Sequence, residues 1–134
     1  MLLKFYYDEK GKRGMLWDGL AAKYPVADDQ PDLVTVQHRL LFAQVLEAVR
    51  ALEEGVLEDI REGDVGAILG WGFAPWSGGP FSWLDIIGAP YAAERCDELT
   101  EALGDRFATP KLLREMAEND DSFYARFSAT AKAA

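Results

Sequence analysis

The run Gly70–Gly88, GWGFAPWSGGPFSWLDIIG, constrains the fold of this chain more than any other stretch. It holds five of the twelve glycines, three of the four tryptophans and two prolines. Glycine reaches backbone conformations that other residues avoid and lets a neighbouring segment come close. Trp71, Phe73, Trp76, Phe81 and Trp83 bring large apolar surface to the same place. The run is therefore predicted to be packed and sharply bent, and to lead into a short helix. Gly78 and Gly79 make the turn, and Pro80 suits a first helical position because its missing N–H needs no partner there. Phe81, Leu84 and Ile87 recur at helical spacing, with Gly88 as the stop. Gly70-Trp71-Gly72 resembles part of a dinucleotide fingerprint, but the third glycine is missing. Val65–Leu69 also makes a poor strand, and bulky aromatics fill the loop, so a phosphate cradle is set aside. The structural motif is Gly72, Gly79, Pro80, Phe81, Asp85 and Gly88.

Helical periodicity governs the rest. From Asp32 to Glu54, Leu41, Val45, Ala48 and Leu52 form one apolar stripe, broadened by Phe42, Leu46 and Val49, with Gly55 at the end. Leu57–Arg61 adds a turn, and Asp64 reads as the N-cap of a helix over Val65–Leu69. Pro90–Leu103 is predicted helical with Tyr91, Cys96, Leu99 and Leu103 inward. Thr109-Pro110 then starts a helix reaching Asn119. Phe123, Tyr124 and Phe127 are candidates for further packing. Strand signals are nearly absent, so the predicted class is all-α. Residues 1–31 read as an N-terminal strap or connector, with Phe5-Tyr6-Tyr7 extended, a basic turn at Gly11–Gly14 and a short helix-like stretch from Leu16-Trp17 to Tyr24. Residues 32–127 form the helical domain, and 128–134 a frayed tail.

A chain of 134 residues suits one domain with a real core. Its net charge of −9 argues against nucleic acid and anionic membranes, which call for a basic footprint. The lone Cys96 excludes an intrachain disulfide, and with the lone His38 it makes a cysteine–histidine zinc site untenable. Charges at Lys4, Asp8, Glu9 and Lys10 break up a secretory pattern, and the longest apolar run, Val65–Trp76, falls short of the roughly 20 residues of a membrane span. The expected location is cytoplasmic.

No convincing catalytic set emerges, and no residue is assigned a catalytic, cofactor-binding or metal-binding role. His38 is the candidate site residue, because its unperturbed pKa lies near neutrality. It reads either as a base or as a hydrogen-bonded histidine at the core margin. Asp85, flanked by Leu84 and Ile86, is either a buried functional carboxylate or a cap on a neighbouring segment's backbone. Glu53-Glu54 and Glu58-Asp59 read as solvated acidic pairs rather than metal ligands. The aromatic cluster serves either a core or an acyl pocket.

Taken in order, Gln37-His38-Arg39-Leu40-Leu41-Phe42, Glu47-Ala48-Val49-Arg50, Glu53-Glu54-Gly55, Asp64, GWGFAP and Gly79–Gly88 resemble the C-terminal domain of 3-hydroxyacyl-CoA dehydrogenases. The resemblance is strongest to the second of two such domains in the multifunctional fatty-acid β-oxidation enzymes, the α-chains of fatty-acid oxidation complexes. Tyr7–Leu20 resembles the connector before that domain. The resemblance implies a compact helical domain of the 6-phosphogluconate dehydrogenase C-terminal-like fold. It places NAD and the catalytic histidine–glutamate pair in a Rossmann domain of the parent enzyme, to which nothing here is similar. The first helical repeat of the family carries a functional asparagine where His38 stands, so the resemblance implies a supporting role for this repeat. Ala74 departs from the proline usual before Pro75.

The resemblance thus implies a non-catalytic, dimerisation-like domain that supports the substrate site of an NAD-dependent 3-hydroxyacyl-CoA dehydrogenase. Its expected partners are the rest of the parent enzyme or a second copy, as a homodimer, with acyl-CoA contact a further expectation. The alternatives are an autonomous helical interaction module and a small acyl-CoA-binding domain.

Overall fold

A computed structural model describes residue 17 and residues 19–127. The expected extended segment at Phe5–Tyr7, the basic turn at Gly11–Gly14 and the frayed tail lie outside the described residues. The chain divides into two compact units, residues 1–32 and 33–134. In the first, α1 (Gly19–Lys23) is a single turn with the Lys23 ammonium 5.9 Å from the Tyr24 ring centroid.

The second unit holds α2 (Leu33–Glu53), α3 (Ile60–Trp71), α4 (Pro80–Ile87), α5 (Ala89–Leu103), α6 (Lys111–Asn119) and α7 (Phe123–Phe127), with 3-10 turns at Pro75–Ser77 and Asp105–Phe107. Among the described residues there is no strand, and the class is all-α. α4 is the hub. It is short and apolar on most sides, and it packs against α2, α3, α5 and α7. Phe81 and Leu84 are fully buried and Trp83 nearly so, and the Trp83 ring meets Phe42 of α2 edge-on at 5.2 Å. A helix apolar on most of its circumference must be covered on most of it, which is why the rest of the unit wraps around this one.

Several expectations need correction. On α2 the buried face is Phe42, Val45, Leu46 and Val49, whereas Leu41, Ala48 and Leu52 sit at its margin. Both sets have helical spacing, and α4 decides between them by seating Trp83 against Phe42. Of the expected Leu57–Arg61 turn only Ile60 and Arg61 are helical, and they belong to one helix with Val65–Leu69, α3. It is started by Asp59, whose carboxylate accepts from the Arg61 N–H at 2.9 Å. On α5, Tyr91 and Leu103 are exposed, at 45% and 42%, while Ala92, Ala93, Cys96 and Leu99 face inward. The inward alanines let α5 approach α4 more closely than a tyrosine ring would. α6 begins one residue late: Pro110 takes the capping position, and the Thr109 hydroxyl donates to Asp97 Oδ1 at 3.0 Å instead of capping. In the aromatic run, Phe73 is buried with Phe81 and Trp83, but Trp71 and Trp76 are exposed, at 60% and 75%. No described helix is long and apolar enough to cross a membrane.

Candidate functional site

The polar centre of the unit lies where α3, α4 and α7 converge. Asp64 sits inside α3 and is 2% exposed. It does not cap its own helix. Its Oδ1 accepts from the Phe81 N–H at 2.8 Å, and its Oδ2 from the Ser82 N–H at 3.0 Å, the Ser82 hydroxyl at 2.6 Å and the Tyr124 hydroxyl at 2.9 Å. The carboxylate thus occupies the N-terminus of α4, where unpaired amides and the helix dipole favour negative charge. α4 cannot supply that cap itself, because Gly79 precedes Pro80 and has no side chain.

Gly79 is fixed by this arrangement. Its φ is +118°, and a Cβ built there would lie 2.4 Å from Asp64 Cβ. Any side chain would both strain the backbone and displace the capping carboxylate. Pro80 opens the helix and Phe81 fills the core behind it. Gly88, at φ +84°, ends α4 and begins α5.

Asp85 performs the same service one helix further on. Its Oδ1 accepts from the Phe123 N–H at 2.7 Å, and its Oδ2 from the Tyr124 N–H at 3.0 Å and the Ser122 hydroxyl at 2.7 Å. Tyr124 joins the two carboxylates, since its amide binds Asp85 and its hydroxyl binds Asp64. Burial, with Asp64 alongside, raises the Tyr124 phenol above its ordinary value and keeps it a proton donor. Among the described residues no buried side-chain polar atom lacks a partner. With three or four donors apiece, both carboxylates are committed to holding helices.

Gly72 ends α3 in the left-handed conformation, at φ +76°. The Gly70-Trp71-Gly72 run therefore lies at a helix C-terminus. A phosphate there would face carbonyl oxygens and the negative end of the dipole.

His38 lies apart from this network, half-buried on α2. Its Nδ1 accepts from Arg95 Nε at 3.2 Å, and its ring is edge-on to Phe42, Trp83 and Tyr91. Arg95 also donates to Thr35 at 2.9 Å and pairs with Glu98, so it ties α5 to α2. A nitrogen accepting from a guanidinium is unprotonated and already engaged, which reduces its use as a base. Beside it lies an apolar hollow of about 320 Å3, walled by Leu40, Leu41, Trp76, Trp83 and Ile87.

The acidic pairs are divided by the fold. Glu53 accepts from the first-turn Leu112 amide of α6 at 3.1 Å, and Asp59 caps α3. Among the described residues no three His, Cys, Asp or Glu side chains gather as metal ligands would. Cys96 is fully buried, and desolvation pushes its thiol up to about 12, so it is neither a ready nucleophile nor a ready ligand.

Sequence reasoning missed Ser82, Tyr124 and Arg95, and it placed Asp64 at the head of the wrong helix. The bonds concerned span 17 to 60 residues, and local spacing carries no signal for them.

No family model matches the chain. Curated relatives do. The fatty acid oxidation complex subunit alpha of Shewanella loihica is 38% identical over 123 residues, covering 90% of this chain and 17% of the relative. The Shewanella frigidimarina subunit of the same name is 36% identical over 126 residues, covering 91% of this chain and 18% of the relative. That of Vibrio cholerae is 42% identical over 86 residues, 64% of this chain and 12% of the relative. The chain thus spans under a fifth of the length of these relatives.

Proposed function

We propose, from this kinship with fatty acid oxidation complex alpha subunits, that the chain is a non-catalytic helical domain serving an NAD-dependent 3-hydroxyacyl-CoA dehydrogenase of fatty-acid β-oxidation. It acts by packing on a homologous domain, in the rest of the enzyme or in a second copy, and so supports the substrate site. The observation that carries this reading is the 123-residue relationship to a subunit named for fatty acid oxidation. The side-chain chemistry supports it: Asp64 and Asp85 hold helix ends together, and His38 is tied to Arg95. The NAD site and the catalytic pair then belong to the parent enzyme, in the cytoplasm.

The purified chain, incubated with NAD and a 3-hydroxyacyl-CoA, is expected to form no NADH and to bind no NAD. Substrate-dependent NADH formation would overturn the non-catalytic assignment. In light scattering from high to low micromolar concentration, the chain is expected to change from a two-chain to a one-chain mass. One chain throughout would contradict the packing role.

A second reading, a small acyl-CoA-binding domain, draws on the hollow beside His38, whose apolar wall suits part of an acyl chain. Titration with acyl-CoA separates the two. Saturable binding that is lost in Leu41→Glu favours the second reading, and no binding leaves the first.

A further inference from the structure

Positive charge is divided unevenly over this chain. Among the described arginines, Arg50, Arg61, Arg95, Arg114 and Arg126 each pair with a carboxylate. Arg39 and Arg106 pair with no described carboxylate, and both line one hollow of about 690 Å3 between α2 and the 3-10 turn at Asp105–Phe107. Leu40, Ala43 and Leu103 give that hollow an apolar lining. No carboxylate lines it, although the chain carries a net charge of −9. The hollow along α3 has Glu47 and Glu62 on its walls, and the one along α5 and α6 has Asp97 and Glu101.

The wall that carries Arg106 is fixed from both sides. Gly104 turns the chain out of α5 at φ +94°, and a Cβ there would meet nothing within 4 Å, so the backbone angle alone calls for glycine. Arg50 of α2 donates to the Arg106 and Ala108 carbonyl oxygens at 3.3 and 3.0 Å, and Phe107 between them is 6% exposed. Gln44, the other polar side chain of the lining, is already engaged. Its amide donates to the Leu40 carbonyl at 3.0 Å and accepts from the Trp71 indole at 3.0 Å. The two guanidinium groups are thus the polar groups of this hollow left for an occupant.

We propose that the hollow binds an amphipathic organic anion, a carboxylate or phosphate head on an apolar body, with Arg39 and Arg106 on the head and Leu40, Ala43 and Leu103 on the body. A guanidinium presents a fork of donors that matches either head. Two cations sharing a hollow repel one another, and one anion between them relieves that. The volume falls within the roughly 300–1,000 Å3 of small-molecule sites. Two cations on so acidic a chain are too few for nucleic acid. An uncharged apolar occupant leaves both arginines unmet, and a bare inorganic anion leaves the apolar lining uncovered. This hollow is separate from the one beside His38, and Leu40 stands between them, lining both.

Calorimetric titration of the purified chain at low salt with octanoate, octyl phosphate, octanol and inorganic phosphate tests this. Octanoate and octyl phosphate are expected to bind at one per chain, and the tighter of the two names the head group. Octanol and inorganic phosphate are expected to bind at least about tenfold more weakly. Arg39→Gln and Arg106→Gln are each expected to weaken both amphipathic anions by roughly tenfold, through loss of one charge-assisted contact. Both side chains are exposed, so the melting temperature is expected to stay within a few degrees of wild type. Leu41→Glu, which alters the hollow beside His38, is expected to leave this binding unchanged. Absence of binding by either amphipathic anion, octanol binding as tightly as octanoate, or binding indifferent to both arginine variants overturns the site. Binding lost in Leu41→Glu and kept in the arginine variants belongs beside His38 and overturns it as well.

Discussion

The Asp64 carboxylate serves four donors from two helices, and two of them are backbone amides at the start of α4. Asp64→Ala leaves those amides and the Tyr124 hydroxyl without their acceptor. It is expected to destabilise the fold by roughly 3 kcal/mol or more, the range for unsatisfied buried groups acting together. Gly79→Val acts on the same contact from the other side and is expected to cost roughly a few kcal/mol. Chemical denaturation of both variants checks this, and near-wild-type midpoints would show that the cap does not hold α4. Cys96 predicts a pH dependence. Its folded thiol titrates at about 12, above the value of an exposed cysteine, so the unfolded chain loses that proton first as pH rises. The stability tied to the buried neutral thiol is complete below about pH 9 and is lost progressively toward pH 12. Cys96→Ala is expected to flatten that alkaline decline, read as melting temperature against pH.

Three helix starts in this unit draw on a side chain from elsewhere in the chain: α4 on Asp64, α7 on Asp85, α6 on Glu53. Asp85→Ala is therefore expected to loosen α7 alone. Amide exchange at Phe123 and Tyr124 should accelerate while exchange in α2 stays slow, and uniform acceleration would contradict this. The same borrowing explains what the sequence made legible. The Gly79-Pro80 start and Gly88 end of α4 depend on backbone chemistry within a few residues, and both were readable. Asp64 before an apolar stretch has the local form of an N-cap, yet Asp59 already starts that helix, and Asp64 points 17 residues along the chain to Phe81. Thr109 failed as a cap for a similar reason, since Asp97 on α5 takes its hydroxyl. The α2 stripe was read one residue off because periodicity fixes a spacing, whereas the facing helix selects the centre. His38 was placed at the edge of that stripe, but its partner Arg95 lies 57 residues away and left no trace in the pattern.

At the scale of the whole molecule, the Asp64 and Asp85 carboxylates are committed to helix ends and His38 is engaged by Arg95, in keeping with the supporting role proposed above. The length covered in the relatives agrees with such a part, since the chain matches 17% and 18% of the two Shewanella subunits. The most direct measurement of this account is a transplant. The matching segment of the Shewanella loihica alpha subunit is replaced by this chain, and 3-hydroxyacyl-CoA-dependent NADH formation is followed at saturating substrate. The chimera is expected to fold and to keep its turnover within about tenfold of the parent, and a version lacking the segment to lose both assembly and activity. A folded, correctly assembled chimera without dehydrogenase activity, or a parent indifferent to loss of the segment, would contradict it.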